Sequence, residues 1–448
     1  MPFTPTMDDL MTGKDTPEPL KFAFEQKRGA HAGGPGMPPL APEQAQQRLS
    51  SLLSAGATPD KRRALYVHVP FCRVRCTFCS FFQYASSRKL VDQYFGFLLQ
   101  EIERKGRTQY AQSAPFHAVY IGGGTPTDLS ASQLKQLGQA LRANFPLTSD
   151  CELTLEGRIN KFDDAKFNGA LEGGFNRFSF GVQSFNTQVR KAAKRLDDRE
   201  SVMARLTELS QSGLAPIVID LLFGLPHQSD RIWRQDLDDM LATNVSGVDL
   251  YQLIDLKGTP MLEQCEKGTA PPPADTATKS QMYRYGNEFM ERHHFQRLSC
   301  CHWSQDNRER SLYNSMVKAG AEILPLGAGA GGNLGGFALM QPRDLERYQS
   351  SIEQQQWPIM VLLPKSETHL KSQLVGACDK GVISQRLLGH DLYEHARPLF
   401  AQWQQRGLAR VSDTAVAFTL AGRFWQLNLC NGLLSYLDTN PLSMEKSA

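Results

Sequence analysis

The chain has 448 residues, 41% of them hydrophobic and 21% charged, with a formal net charge of +3. That length buries a sizeable core in two or three domains, and a charge so near balance leaves no electrostatic footprint for nucleic acid. No apolar run approaches the ~20 residues that span a bilayer, so neither a nucleic-acid nor a membrane partner is expected.

Residues 1–60 are polar and rich in Gly and Pro, most densely in the stretch from Ala30 and His31 to Pro39. They read as a partly flexible N-terminal arm. The first residues have neither the basic n-region nor the apolar h-region of a secretory signal, so a cytoplasmic protein is expected. Six strand-like segments follow: Leu65–Val69, Ala118–Ile121, Glu152–Leu155, Arg177–Val182, Ile217–Phe223 and Val248–Ile254. Each ends in Gly, Pro or a polar residue. Helical stripes separate them, the clearest being Leu90, Tyr94, Leu98 and Ile102, then Leu134, Leu137 and Leu141. Residues 200–214 and 232–241 fit helices as well. This alternation predicts an α/β fold, a partial (β/α)6 barrel over residues 61–270 with its chemistry at the C-terminal strand ends. The run Ala270-Pro-Pro-Pro-Ala274 closes it. Residues 271–365 read as a mixed α/β extension completing the substrate pocket. Residues 366–448 read as a cap, in which 407–429 suggest a β-wing followed by a helix, a small winged-helix-like unit.

Cys72, Cys76 and Cys79 form a C-x3-C-x2-C loop after the first strand, where Pro70 interrupts the ladder. Iron–sulfur cubes normally take four Cys thiolates, so three would leave one iron open to a small molecule. Spacing alone leaves a cluster, a zinc site and free thiols as open readings. No second Cys pair follows as zinc sites usually show, and nine cysteines in a chain this long argue against a disulfide framework. Phe71, Phe78, Phe81 and Phe82 flank the thiolates, either as core or as a shell that keeps water and oxygen off a cluster. The second strand ends in Gly122-Gly123-Gly124-Thr125-Pro126-Thr127, a tight turn or a cradle for a small polar ligand.

The CxxxCxxC loop followed by GGGTPT resembles the radical S-adenosylmethionine (SAM) enzymes, in the branch containing anaerobic coproporphyrinogen III oxidase. The resemblance implies a [4Fe-4S] cluster on Cys72, Cys76 and Cys79 whose open iron chelates the SAM amino and carboxylate groups, giving a 5′-deoxyadenosyl radical. It implies a SAM pocket of Tyr66, Phe78, Gly123, Gly124, Thr125, Glu156, Gln183, Arg195, Asp220 and Gln252. Glu156 suits the amino group or ribose, Gln183 and Asp220 the ribose hydroxyls, and Arg195 the carboxylate.

Within the branch, the oxidase carries a further Cys two places after the third ligand; this chain has Phe81 there. Haem chaperones usually read E-x-N-P at the third strand and lack a long arm; this chain reads Glu156-Gly157-Arg158. Leu155–Ile159, His302-Trp303, Asn307–Arg310, Tyr313-Asn314 and Gly327–Asn333 resemble the haem-utilisation, HutW/ChuW-like subgroup. That implies a methyltransferase using two SAM molecules to open the haem porphyrin without oxygen, freeing iron and a methylated linear tetrapyrrole of anaerobilin type. The alternatives are a haem chaperone and the oxidase. Tyr66 and His302 are the candidate catalytic residues, although a His before a Trp also fits half-buried packing. Gly329 and Gly331 suit the second SAM or a flexible loop. Arg158 and Arg310 are candidates for the propionates. The arm is expected to close over haem, and an external low-potential donor, a flavodoxin or reduced flavin protein, is implied.

Overall fold

A computed structural model describes residues 7–27, 38–80, 84–254, 258–365 and 369–441. The expectations for His31, Phe81 and Phe82 lie outside the described residues. The barrel strands are β1 (Arg63–Val69), β2 (Phe116–Gly123), β3 (Leu147–Gly157), β4 (Arg177–Gln183), β5 (Ile217–Phe223) and β6 (Gly247–Gln252). They are parallel and neighbour one another in chain order, as successive β–α crossovers of one hand require. β6 stops at Gln252, two residues before the expected end at Ile254.

Period two decides what each strand does. Val67, Ile121, Leu153, Leu155, Phe178, Phe180, Ile219 and Leu221 are fully buried in the apolar core. The alternate set, Tyr66 and His68, Tyr120, Glu156 and Asp220, shares the other face, with Tyr66 level with Tyr120 and Asp220 level with Asp249. The helix Arg88–Gly106 covers the outside with Tyr94, Leu98 and Ile102, and Ser87 caps it by accepting from the Leu90 amide. Helix Ala131–Asn144 starts in a capping box of Ser130 and Gln133.

The sheet continues past both barrel edges. Glu322–Leu326 pairs parallel with β1, and Gly331–Leu334, Phe337–Met340 and Val361–Pro364 add an antiparallel meander beyond it. At the other edge His302–Ser304 runs antiparallel to β6. The result is one sheet of 12 strands, so the expected boundary at residue 270 crosses continuous hydrogen bonding. Helix Leu312–Lys318 lies across the inner face. Tyr313 stacks on Tyr120 at 4.7 Å, and the Leu312 and Tyr313 amides donate to Glu152. In the C-terminal region a three-stranded sheet, in the order Val382–Ser384, Ala415–Phe418, Ala409–Val411, packs with helices around buried Trp403, Trp425 and Tyr436.

The arm differs from its expectation. Met11, Leu20, Ala23 and Phe24 are buried in the same core as the C-terminal helices. The indoles of Trp403 and Trp425 donate to the carbonyls of Met11 and Pro19, each at 2.9 Å. Helix Pro42–Ser54 buries Ala45, Leu49 and Leu53, an i, i+4 stripe that the polar composition around it concealed. The arm's described parts are a structural strap. Phe24, whose ring lies 5.5 Å from Trp425, tests this. Phe24→Ala should cost about 3 kcal/mol, seen as a lower denaturant midpoint; an unchanged midpoint would mean the strap is not packed.

Candidate active site

At the end of β1, Pro70 removes a ladder donor and the chain turns. Phe71–Cys72 then pairs with Tyr84–Ala85, which fixes the first cysteine. Cys72 and Cys76 are 5% and 3% exposed, and Cys79 is half-buried. The Cys79 amide donates to the Cys76 carbonyl at 3.3 Å, and Thr77 bonds the Ala192 and Ala193 carbonyls. The loop is thereby tied to the helix Thr187–Ala192 after β4. Arg158 Nη2 lies 3.1 Å from Cys76 Sγ, 4.0 Å from Cys72 Sγ and 2.8 Å from the Val74 carbonyl. The Thr125 hydroxyl lies 3.2 Å from Cys72 Sγ. Burial pushes the Cys72 thiol up; Thr125 and Arg158 work against that.

The glycine turn answers to the same loop. A Cβ on Gly122 would come 2.6 Å from Glu156 Oε2, one on Gly123 2.8 Å from the His68 ring, and one on Gly124 would collide with the Phe71 carbonyl. Gly123 also has φ +115°, a conformation that other residues avoid. The Gly124 and Thr125 amides donate to Val69 and Phe71 carbonyls. The turn therefore clamps the cysteine loop, and these two amides are not free for a ligand.

Beyond the loop, Glu156, Gln183, Arg195 and Asp220 lie near one another. Gln183 has φ +72° at a β-bulge following Gly181, a strain of about 1–3 kcal/mol that aims its side chain. A Cβ on Gly181 would lie 2.7 Å from Gln183 Nε2 and 3.3 Å from Arg195 Nη2. Arg195 Nε is buried with no hydrogen-bond partner, and its guanidinium sits 5.8 Å from the Phe78 ring. Burial raises the Glu156 carboxyl to about 7, against a hydrogen bond from Tyr120 and the charge of Arg195. Burial, with Asp249 and Glu156 nearby, raises Asp220 as well. Tyr66 stacks on Tyr120 and Tyr313, and its hydroxyl is 3.0 Å from His68 Nδ1. Burial lowers His68 to about 4, with Arg343 adding to it, so the imidazole is neutral; its Nε2 is unpartnered. Partnerless buried polar atoms beside two uncharged-leaning acids fit a zwitterionic ligand. Among the described residues no three His, Cys, Asp or Glu side chains converge on one point as a single ion needs. The thiolates of a cube bind different irons, so the loop fits a cluster better than zinc.

Several expected roles are corrected. Arg158 is turned onto the cysteine sulfurs, not toward a propionate. Arg310 bonds Asp150 near the start of β3, away from the strand ends. Gln252 accepts from Lys27 Nζ at 2.5 Å. The turn with Gly329 and Gly331 is not loose: the Gly327 amide donates to Glu101, Gln341 donates back to the Gly327 carbonyl, and the Gly329 amide donates to Pro342. His302 is 3% exposed, with Nδ1 2.8 Å from Asp249 and Nε2 3.0 Å from Glu309. Burial alone would lower it, but the two carboxylates raise it to about 9. Glu309, which burial would raise, is held at about 2 by Arg177 and His302. An imidazolium with both N–H groups engaged has none left for haem or a substrate proton. Sequence reasoning missed His68 and Tyr120. Both share the inward parity of Tyr66, which was signal enough.

A profile of the radical SAM superfamily matches residues 66–240. The chain is 38% identical over 419 residues to the anaerobilin synthase of Escherichia coli O157:H7, covering 92% of this chain and 93% of that one. It is 27% identical to the heme chaperone HemW of Bacillus subtilis, covering 66% and 77%. The coproporphyrinogen III oxidase structure from Escherichia coli superposes with a TM-score of 0.72 at 22% identity over 87% of this chain and 94% of that one, a likeness of fold. No helix among the described residues is long and apolar enough to cross a membrane.

Two predictions follow from the charges. Arg195→Gln removes a buried guanidinium whose Nε has no partner and is expected to weaken SAM binding by roughly ten- to a hundredfold, read by equilibrium dialysis; unchanged affinity would remove Arg195 from the candidate site. His302 has a folded pKa raised from 6.5 to about 9, so its contribution is whole below about 6.5 and is lost as pH rises through about 9. That loss is on the order of 3 kcal/mol. Thermal midpoints should fall between neutral and alkaline pH, and His302→Gln should be destabilised at neutral pH with a flatter profile; a parallel profile would contradict the imidazolium.

Proposed function

The chain belongs to the radical SAM superfamily, and on that premise we propose that it opens the haem porphyrin ring without oxygen, as a methyltransferase that frees iron and a methylated linear tetrapyrrole. The observation that carries this is the 38% identity to an anaerobilin synthase, which extends over 92% of the chain and so includes the regions outside the barrel. The cofactors are a [4Fe-4S] cluster and SAM. When bound, they supply a 5′-deoxyadenosyl radical by reductive cleavage of the sulfonium.

The chain's own residues bind, orient and insulate. Cys72, Cys76 and Cys79 hold the cluster, and Arg158 and Thr125 offset its thiolate charge. Gly123 and Gly124 let the β2 turn close onto that loop. Arg195 meets the SAM carboxylate, Glu156 the ammonium, and Asp220 and Gln183 the ribose diol. Binding a cation beside Glu156 would draw its raised pKa back down, so the empty pocket and the loaded pocket differ in proton content. Phe78 packs with Val189, Leu222, Leu225, Leu253 and Met261, an apolar cluster that keeps water from the loop. Tyr66 holds a proton against neutral His68 at the pocket face, and is assigned the proton transfers that ring opening requires. The Gly327–Gly332 turn, fixed by Glu101 and Gln341, lies beside β1 and serves the second SAM. The protein works in the cytoplasm, and electrons come from an external flavodoxin or reduced flavin protein.

Anaerobic incubation of the cluster-loaded protein with SAM, haem and a reductant tests the reading. Bleaching of the haem bands with formation of 5′-deoxyadenosine and S-adenosylhomocysteine is expected, and Cys76→Ala should abolish it. Stable haem binding with neither product would make the protein a haem carrier, and decarboxylation of coproporphyrinogen would make it the oxidase.

A further inference from the structure

A cleft of roughly 280 Å³ opens where the ends of β5 and β6 meet the N-terminal strap and the C-terminal helices. Its walls are mostly apolar, with Phe223, Leu250, Val375 and Leu427 among them. Tyr251 and Ile254, 40% and 38% exposed, stand at its lining, two of the few large apolar side chains left in solvent among the described residues. An exposed apolar lining of this kind marks a ligand surface. Gln252, the last residue of β6, is part of its lining.

Three cations line the cleft: Lys27 from the strap, Lys318 from the inner helix and Arg423 from the C-terminal region. Lys318 is committed to Asp379 at 2.8 Å. Lys27 has no carboxylate partner among the described residues; its Nζ contacts Gln252 Oε1 and lies 4.2 Å from the centre of the Phe424 ring. Arg423 reaches Glu291 only at 3.8 Å, and its Nε is buried without a hydrogen bond. Two positive charges thus face an apolar slot with too little negative charge opposite them. Burial lowers Lys27 to about 8, which an incoming carboxylate would reverse.

We propose that this cleft takes the carboxylate-bearing edge of a flat, apolar tetrapyrrole, with Lys27 and Arg423 each meeting one propionate and Gln252 positioning Lys27; this rests on the haem-opening reading above. The macrocycle lies against the apolar walls and its acids reach the two cations. The strap and the C-terminal region thereby become parts of the substrate site, and Arg158 and Arg310 are relieved of the role that their sequence positions suggested.

Absorbance titration of the cluster-loaded, full-length protein with haem and with haem dimethyl ester tests this. Lys27→Gln and Arg423→Gln should each weaken haem binding roughly tenfold or more, Lys27→Arg should restore most of the loss, and neither Gln variant should alter affinity for the ester. The KM for haem should rise in Lys27→Gln. Unchanged haem affinity in both Gln variants would overturn the clamp while leaving haem opening by the wild-type protein intact. Equal losses for haem and ester would also overturn it, since the residues would then act on the fold. A wild-type protein that neither binds nor opens haem would sink both.

Discussion

Three thiolates at the end of one buried strand are the constraint on which the rest of the structure depends. Cys72 and Cys76 are buried, and buried thiolates are costly unless positive charge and hydrogen-bond donors stand beside them. Arg158 at 3.1 Å and Thr125 at 3.2 Å supply both. Each comes from the end of a different neighbouring strand, so the loop is stable only when β2 and β3 stand in register beside β1. The glycine triplet makes that register tight enough, because any side chain at Gly124 would force the β2 turn off the Phe71 backbone. The local chemistry of a metal loop has become a demand on the order of the sheet.

Charge inside the barrel falls into two sets. In one, Glu156 and Asp220 are pushed toward the uncharged state while Arg195 keeps an unpartnered nitrogen. That imbalance is what a zwitterion would settle. In the other, Asp249, level with Asp220, starts a chain through His302 and Glu309 to Arg177 that is joined by hydrogen bonds at 2.8–3.2 Å. Closed networks of this kind specify how elements meet. Here one joins β4 and β6 to the strand His302–Ser304 and the segment leading into the inner helix.

Much of this was legible in the chain. Gly, Pro and polar residues at regular strand ends gave the six β–α units, and polar side chains recurring at those ends made Glu156, Gln183, Arg195 and Asp220 the candidate ligand residues. What was not legible has physical causes. Arg158 lies just past the end of β3, where period two no longer says which way a side chain points. The partners of His302 lie 53 and 7 residues away and meet only through the pairing of distant strands. The strap's few apolar anchors, Met11, Leu20 and Phe24, are spread through polar sequence, and their partners Trp403 and Trp425 lie 392 to 405 residues on. Lys27 sits in that same strap, so its arrival at Gln252 was invisible until the strap was placed.

The central claim is that three cysteines leave one iron of the cluster open and that Glu156, Gln183, Arg195 and Asp220 present SAM to it. Electron paramagnetic and nuclear double resonance on the reduced, cluster-loaded protein tests it most directly, using SAM enriched in magnetic isotopes at its amino nitrogen and carboxylate oxygen. The account predicts a changed cluster signal on adding SAM, with coupling to both labelled atoms, weakened in Arg195→Gln. A cluster signal that SAM leaves unchanged, with no coupling to either atom, would contradict it.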